Sequence, residues 1–361
     1  MGLYEKISIL GPSAKYDTCG PRDLGDTTNI PGVYHAKVSN GGICRLFKVL
    51  QTNACKNNCN YCAYRKDRRC SRVVASPDEM ARAFDIVHTK RLVDGLFLSS
   101  GVVRNADYTM SRMLDTVHIL RKKYKYSGYV HLKFMPNTPQ NCIEEAFRVS
   151  NRVSLNIESP TENNLFELSP DKTLKTDFFD TLFRIKRAQK QFKKEGKRTP
   201  SLTTQFVVGA GTESDEDILK VTSVLYKSFK LTRVFYSAFR PVPDTPLGQK
   251  PAASLVRQHR LYQSDFLMRF YGFSASDLPM DKGGYLPEME DPKLLWAKRH
   301  PEFFPININR ADYWNLLKIP GIGPTSARKL IDMRRDSKIY SWDQLQGKRL
   351  ILGKIKAYAS L

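Results

Sequence analysis

Three cysteines stand close together in the segment Cys55-Lys-Asn-Asn-Cys59-Asn-Tyr-Cys62. They offer three thiolates to a metal and no fourth nearby. A structural zinc site closes a tetrahedron, usually with two pairs of ligands. Cys59 and Cys62 could form half of such a site, completed by Cys55 or Cys70, yet no second pair follows at zinc-ribbon spacing. A cubane iron–sulfur cluster takes four cysteines, one per iron. Three thiolates on a four-iron cluster leave one iron open to a small molecule.

The elements around this triplet alternate between strand and helix from about residue 43 to residue 240. Ile43–Leu50 reads as a strand running into the cysteine loop. Ser76-Pro-Asp-Glu79 is a capping box with proline at the first helical position, opening a helix to about Leu92. Further strands are expected at Gly95–Ser99, Tyr129–Phe134, Arg152–Ile157, Thr203–Val208 and Arg233–Ser237. Helices are expected over Met110–Lys123, Gln140–Arg148, Thr176–Lys194 and Asp215 to about Ser228. Such alternation predicts parallel strands joined by right-handed crossovers. Six units are too few for a closed eight-fold barrel. Sites in such barrels sit where strands end and loops begin, and the cysteines follow the first of these strands.

The triplet, with aromatic Tyr61 before its last cysteine, resembles the signature of the radical S-adenosylmethionine (radical SAM) superfamily. The resemblance implies an α/β fold with a partial (βα)6 TIM-type barrel. It implies a [4Fe-4S] cluster on Cys55, Cys59 and Cys62, whose open iron chelates S-adenosyl-L-methionine (SAM) through its amino and carboxylate groups. Reductive cleavage of SAM then yields methionine and a 5′-deoxyadenosyl radical, with flavodoxin or ferredoxin as the kind of electron donor. The other strand ends follow the family in outline. Ser99-Ser100-Gly101 stands where the superfamily has a Gly-Gly-Glu-like segment meeting the SAM amino group, though the glutamate is missing. Asn156 and Glu158 are placed to bond the SAM ribose or amino group, unless Glu158 faces solvent. Gly209, in Val207-Val-Gly-Ala-Gly-Thr-Glu213, resembles the segment that admits adenine to the backbone. Arg240 is a candidate for a SAM carboxylate or a substrate phosphate. The resemblance assigns no catalytic residue for the substrate step. Cys19, Cys44, Cys70 and Cys142 are scattered without ligand spacing, so they read as buried or free rather than as an auxiliary cluster.

The 361-residue chain carries a net charge of +22. That excess suggests a polyanionic partner, nucleic acid first, although each basic run alone reads as a solvated helix face. No run of about 18 apolar residues exists, so no membrane span is expected. The N-terminus lacks an apolar core of signal-peptide length, and the chain is expected in the cytoplasm, with its cysteines reduced. No GxxxxGK[ST] phosphate loop and no serine–histidine motif appears.

A second motif lies near the C-terminus. Asn309 is expected to cap a helix with Asp312 three residues on, Leu316, Leu317 and Ile319 giving it an apolar side. Pro320-Gly-Ile-Gly323 makes a tight turn, and Pro324 opens a second helix with Ala327, Leu330 and Ile331 inward. The segment resembles the helix-hairpin-helix family. That resemblance implies a small all-α DNA-binding domain whose turn and helix start face a phosphate through Gly321, Gly323, Thr325, Arg328 and Lys329. Ser341-Trp-Asp-Gln344 is expected to cap a further helix, and Gly347–Gly353 reads as a degenerate second hairpin. The organisation expected is an N-terminal extension (1–42), a radical SAM core (43–240), a bridging segment packed on the barrel (241–304) containing an amphipathic helix over Arg257–Tyr271, and a helix-hairpin-helix domain (305–361).

Both motifs together resemble a radical SAM family associated with DNA modification or repair and with a uracil-DNA-glycosylase-related partner. Tyr16-Asp-Thr-Cys19, Gly95–Gly101, Asn156-Ile-Glu-Ser-Pro160 and Leu168-Ser-Pro-Asp-Lys172 belong to the same resemblance. It implies an enzyme that binds DNA and abstracts hydrogen from a sugar or base, a duplex base first leaving the stack. An RNA-modifying radical SAM enzyme, or a non-catalytic DNA-binding protein with a structural or redox-sensing metal, are the alternatives.

Overall fold

The strand Gly95–Ser99 is buried at every position, as a strand covered on both faces of a parallel sheet must be. It is one of seven in an open half-barrel sheet whose order follows the chain. The strands are β1 (Val33–Lys37), β2 (Ile43–Leu50), β3 (Gly95–Ser99), β4 (Tyr129–Lys133), β5 (Arg152–Ser154), β6 (Ser201–Val208) and β7 (Arg233–Ala238). From β2 to β7 every pairing is parallel, and β1 runs antiparallel along the edge. The computed structural model describes residues 1–17, 30–37, 42–346 and 352–361, and of Tyr16 and Lys37 the backbone alone. Cys19 and most of the expected second hairpin, residues 347–351, lie outside the described residues.

Two compact units divide the chain, Met1–Glu213 with Val224–Ala253, and Ser214–Ser223 with Ser254–Leu361. The segment 241–304 is therefore shared between them. In the first unit α1 (Leu3–Ser13) precedes the sheet, and α2 (Pro77–Thr89), α3 (Ala106–Lys122), α4 (Gln140–Val149), α5 (Glu162–Leu168) and α6 (Asp180–Lys194) alternate with its strands. Helix α7 (Asp215–Phe229) leads into β7. The outward face of the sheet meets these helices through aromatic contacts such as Phe47 against Phe84, 6.3 Å between centroids.

Local chemistry sets the boundaries. Ser76 Oγ accepts the Glu79 N–H at 3.1 Å and the Glu79 carboxylate accepts the Ser76 N–H at 2.8 Å, the reciprocal cap read from the sequence. Helix α3 starts at Ala106 rather than near Met110, because Asn105 accepts the Tyr108 N–H at 2.8 Å. Strand β5 stops at Ser154, short of the expected Ile157. There the Ile157 N–H turns to the Thr204 hydroxyl at 3.2 Å, and Glu158 adopts φ +64°. Helix α6 is preceded by a π-helical turn, Leu174–Phe179, capped by Thr173.

Helix α1 and strand β1 carry no signal in the reading of residues 1–42. Gly11-Pro12 looks like a helix break, yet Pro12 lies inside α1. Gly11 is required because a Cβ there would lie 2.5 Å from the Gly32 nitrogen, at a turn where Gly32 has φ +82°.

The register positions the site. Leu50 lies beside Ser99, Leu98 beside Leu132, Lys133 beside Ser154 and Val208 beside Ala238. Parallel strands in this register bring their C-terminal ends, and the loops that follow, to one rim.

The second unit contains α8 (Leu255–Phe270), α9 (Pro292–Arg299), α10 (Tyr313–Lys318), α11 (Pro324–Asp336) and α12 (Leu352–Lys356). Ile308, Leu316, Leu317, Ile319, Ala327 and Leu330 are buried together, and Ile331 packs against them half-buried. This end of the chain is not all helical. Ile306–Asn307 (β8) pairs in parallel with Ala359–Ser360 (β9), so the last residues return to the strand that precedes α10. Asn309 does not cap that helix. Asp312 does, accepting the Asn315 N–H at 2.7 Å, while the Asn309 amide holds both backbone groups of Ile339 at 2.9 Å. Ser341 caps a single 3₁₀ turn, Trp342–Leu345.

Candidate active site

Strand β2 ends and the chain enters a loop with little regular structure, where the three cysteines lie. What fixes this loop is Arg72. Its guanidinium donates to the carbonyls of Asn53 (2.8 Å), Tyr64 (2.8 Å), Arg65 (2.6 Å) and Arg68 (2.9 Å). A planar, permanently charged fork suits this convergence of carbonyls. Above it, the Gly101 N–H donates to Thr52 O at 2.7 Å and the Lys56 N–H to Val102 O at 2.8 Å. The loop after β3 thus lies directly on the cysteine loop.

A cavity of about 610 Å³ opens at this rim, and Cys55, Cys59 and Cys62 all line it. Cys59 is buried, and Cys55 and Cys62 are half-buried. Burial, then the neighbouring Cys59, pushes the Cys62 thiol up to about 12. Clustered thiols resist ionisation in this way, and a bound cation reverses that balance, since a coordinating thiol is deprotonated outright. No group of three His, Cys, Asp or Glu among the described residues is arranged around one metal ion. Three thiols in one cavity suit a four-iron cluster with one open iron better than a closed tetrahedral zinc site, which wants four ligands.

The expected companions fall as follows. Tyr61, Ser99, Ser100, Gly101, Asn156, Glu158 and Arg240 all line the same cavity. Gly209 does not. It has φ +81°, and its N–H donates to the Glu213 carboxylate, which also takes the Gly211 N–H at 3.1 Å. The adenine-admitting role expected for Gly209 thus meets a loop already closed on its own acid. Arg240 is exposed at the rim.

Glu158 does not face solvent. It is 7% exposed, and Tyr61 hydrogen-bonds its carboxyl. Burial raises the Glu158 carboxyl, opposed by the charges of Lys133 and Lys172. Burial, then Glu158, holds the Tyr61 phenol well above its ordinary value, so it stays a donor. A non-glycine residue at φ +64° is uncommon, and such strain collects at functional sites.

Sequence reasoning gave no site role to Asp17, Lys133, Ser169, Lys172 or Arg72, although Asp17, Ser169 and Lys172 stand in segments that carry the family resemblance. Lys133 ends β4 and pairs with Asp17, both at the cavity wall. Lys172 also lines it. A lysine closing a buried strand was a usable signal; Arg72, lying in an irregular loop, offered none. Among the other cysteines, Cys142 is buried, bonds Asp107 at 3.4 Å and has its thiol pushed up to about 11 by that burial, which suits a structural thiol rather than a ligand.

Part of this chain is similar to known proteins. Residues 49–225 match the Radical SAM superfamily. The tRNA-2-methylthio-N(6)-dimethylallyladenosine synthase of Lachnoclostridium phytofermentans is 25% identical over 181 residues, 48% of this chain and 37% of that protein. The match therefore spans well under half of that relative. Among solved structures, the FeFe-hydrogenase maturase HydG of Carboxydothermus hydrogenoformans is 17% identical, with a TM-score of 0.47, over 61% of this chain and 50% of that one. A radical SAM methyltransferase of Sphaerobacter thermophilus is 13% identical, with a TM-score of 0.46, over 67% of this chain and 72% of that one.

Proposed function

From residues 49–225 as a radical SAM domain, and hence from an enzyme whose superfamily binds a [4Fe-4S] cluster and SAM, we propose that the substrate is nucleic acid, duplex DNA first. Cys55, Cys59 and Cys62 would hold the cluster. When bound, cluster and SAM supply one-electron cleavage of SAM to methionine and a 5′-deoxyadenosyl radical. Around them the chain's own groups bind and orient. Ser99, Ser100 and Asn156 offer short polar side chains, Glu158 with Tyr61 offers a buried acceptor, and Arg240 offers a cation at the rim for a carboxylate or phosphate.

The observation that carries the nucleic-acid reading lies in the second unit. Between α10 and α11 the turn Pro320–Gly323 contains Gly321 at φ +89°, and Gly323 is the N-cap of α11. A helix start leaves its first N–H groups without intrahelical partners, ready for an anion. Thr325, Arg328 and Lys329 are exposed on that first stretch. Gly323 itself has φ −109°, so Gly321 alone needs the left-handed region. This geometry supports a helix-hairpin-helix that grips backbone phosphate, and the net charge of +22 supports the same class of partner. Phosphate contacts position a chain on the duplex without reading sequence. DNA modification or repair, a uracil-DNA-glycosylase-related partner and a flavodoxin- or ferredoxin-type donor belong to this proposal.

A tRNA substrate is the second reading, favoured by the tRNA-modifying activity for which the 25% identical relative is named. The test is anaerobic reconstitution of the full chain with iron and sulfide, then SAM, dithionite and either duplex DNA or transfer RNA. Production of 5′-deoxyadenosine stimulated by duplex DNA, with label exchanged into the DNA, is the expected result. Stimulation by transfer RNA alone would move the substrate to the second reading. Indifference to both polymers would defeat the nucleic-acid proposal.

A further inference from the structure

The three cysteine sulfurs have unequal surroundings. Cys55 Sγ accepts the Val102 N–H and Cys62 Sγ accepts the Tyr64 N–H, each at 3.4 Å. Cys59, 7% exposed, has its Sγ 3.1 Å from the hydroxyl of Ser169, which is fully buried. Lys172 lines the same cavity as this sulfur. Both groups arrive on one short segment after α5, and that segment is fastened to the cysteine loop. The Asn60 N–H donates to Leu168 O at 2.7 Å, the Asn60 amide to Glu167 O at 2.8 Å, and the Asn58 N–H to the Asp171 carboxylate at 2.7 Å.

We propose that Ser169 and Lys172 are positioning residues for the cluster, the Ser169 hydroxyl as a donor at the Cys59 thiolate and the Lys172 cation as a positive charge in the same cavity, and that both raise the cluster's reduction potential. An iron ligand is a thiolate and accepts only, so the Ser169 hydroxyl is the donor. Reduction adds one electron from an external one-electron donor, and no covalent bond forms or breaks. The added negative charge is stabilised by the donor at sulfur and by the cation in the cavity, and hydrogen bonds to the sulfurs and net charge are among the terms that set such potentials. The inference rests on the cluster and is independent of the polymer substrate.

The experiment is a dithionite redox titration of the reconstituted full chain, followed by electron paramagnetic resonance. Ser169→Ala and Lys172→Met are each expected to shift the midpoint to more negative potential by about a tenfold change in the reduction equilibrium, which is 59 mV for a one-electron couple. Ser169→Thr and Lys172→Arg, which keep the donor and the charge, are expected to stay near the wild type. Wild-type midpoints in both Ser169→Ala and Lys172→Met would overturn the proposal. So would equal shifts in Ser169→Thr and Ser169→Ala, which would make the serine a packing residue. Should Ser169→Ala fail to load iron, the Lys172 pair decides by the same criterion. Zinc in place of iron in the wild-type protein would instead remove the cluster itself.

Discussion

A methyl group on Gly101 would sit 2.2 Å from the carbonyl oxygen of Ala54 and 3.2 Å from Cys55 Cβ. The first of these neighbours is backbone and has no rotamer to move. Gly101 is therefore the position at which the loop after β3 closes onto the cysteine loop, whatever ligand its own backbone meets. Gly101→Ala should displace the Ala54–Cys55 segment, at a cost of about 1–3 kcal/mol, the range for overpacking. The expected outcome is a melting temperature lower by about 2–4 °C per kcal/mol together with a reduced iron content after reconstitution. Full iron content with weakened SAM binding alone would show that the glycine serves the ligand and not the loop.

Arg72 predicts a different failure. Four carbonyls converge on its guanidinium from both sides of the cysteines. Hydrogen bonds to charged groups contribute about 1.5–3 kcal/mol each in favourable cases, and removing the donor strands its acceptors. Arg72→Met should lose most of the bound iron, and Arg72→Lys should recover only part of it, because an ammonium cannot supply a planar fork. Equal iron in the wild type and Arg72→Met, read by iron and sulfide assay, would rule out the arginine as the support of the loop.

Much of the barrel was legible because its signals are local. Ile43–Leu50 and Gly95–Ser99 are bounded as their apolar runs suggest, and the Ser76–Glu79 cap forms as its spacing requires. The cysteine triplet was legible for the same reason. Asp17, Ser169 and Lys172 stood in segments that carry the family resemblance and Lys133 at a strand end, but their pairings were not legible, since each depends on a partner far away in the chain, as Lys133 depends on Asp17 and Ser169 on Cys59. Asn309 shows the converse. Its spacing to Asp312 mimics a cap, but Ile339 offers its amide two backbone bonds and takes it away from the helix. Gly209 reads as a ligand-facing glycine until the loop folds its N–H onto Glu213.

A pH dependence follows from Lys293. It is 7% exposed, donates to Ile322 O at 2.6 Å and lies 4.8 Å from the Tyr271 ring centroid. Burial lowers its ammonium to about 7, with Asp291 opposing. An unfolded lysine titrates near 10.4. Between about 7 and 10.4 the unfolded chain therefore binds the extra proton, and stability rises with pH there, by at most about 1.4 kcal/mol per unit. Below about 7 both states are protonated and this lysine adds no slope. Lys293→Met should remove the slope, so the stability difference between wild type and variant should grow in favour of the wild type from about pH 7 to about pH 9. Parallel pH profiles in urea unfolding would show that the amine is not buried as a charge-costing group.

The turn that Lys293 supports also gives the sharpest prediction about nucleic acid. Ile322 sits between Gly321, at φ +89°, and Gly323, the cap of α11. A side chain at a left-handed position costs about 1–2 kcal/mol, so Gly321→Ala should distort the turn and weaken binding at all salt concentrations. Arg328 and Lys329 are exposed and are proposed to meet phosphate as charges. Replacing both with alanine should leave the unit folded. If each meets one phosphate, the slope of log affinity against log salt on duplex DNA should fall by about 2 in magnitude, since each phosphate contact contributes about 0.9. A loss of affinity with unchanged slope would mean that the two side chains shape the helix rather than touch phosphate. An unchanged affinity and slope would remove the turn from the binding surface and leave the excess positive charge elsewhere on the chain to account for any nucleic-acid binding.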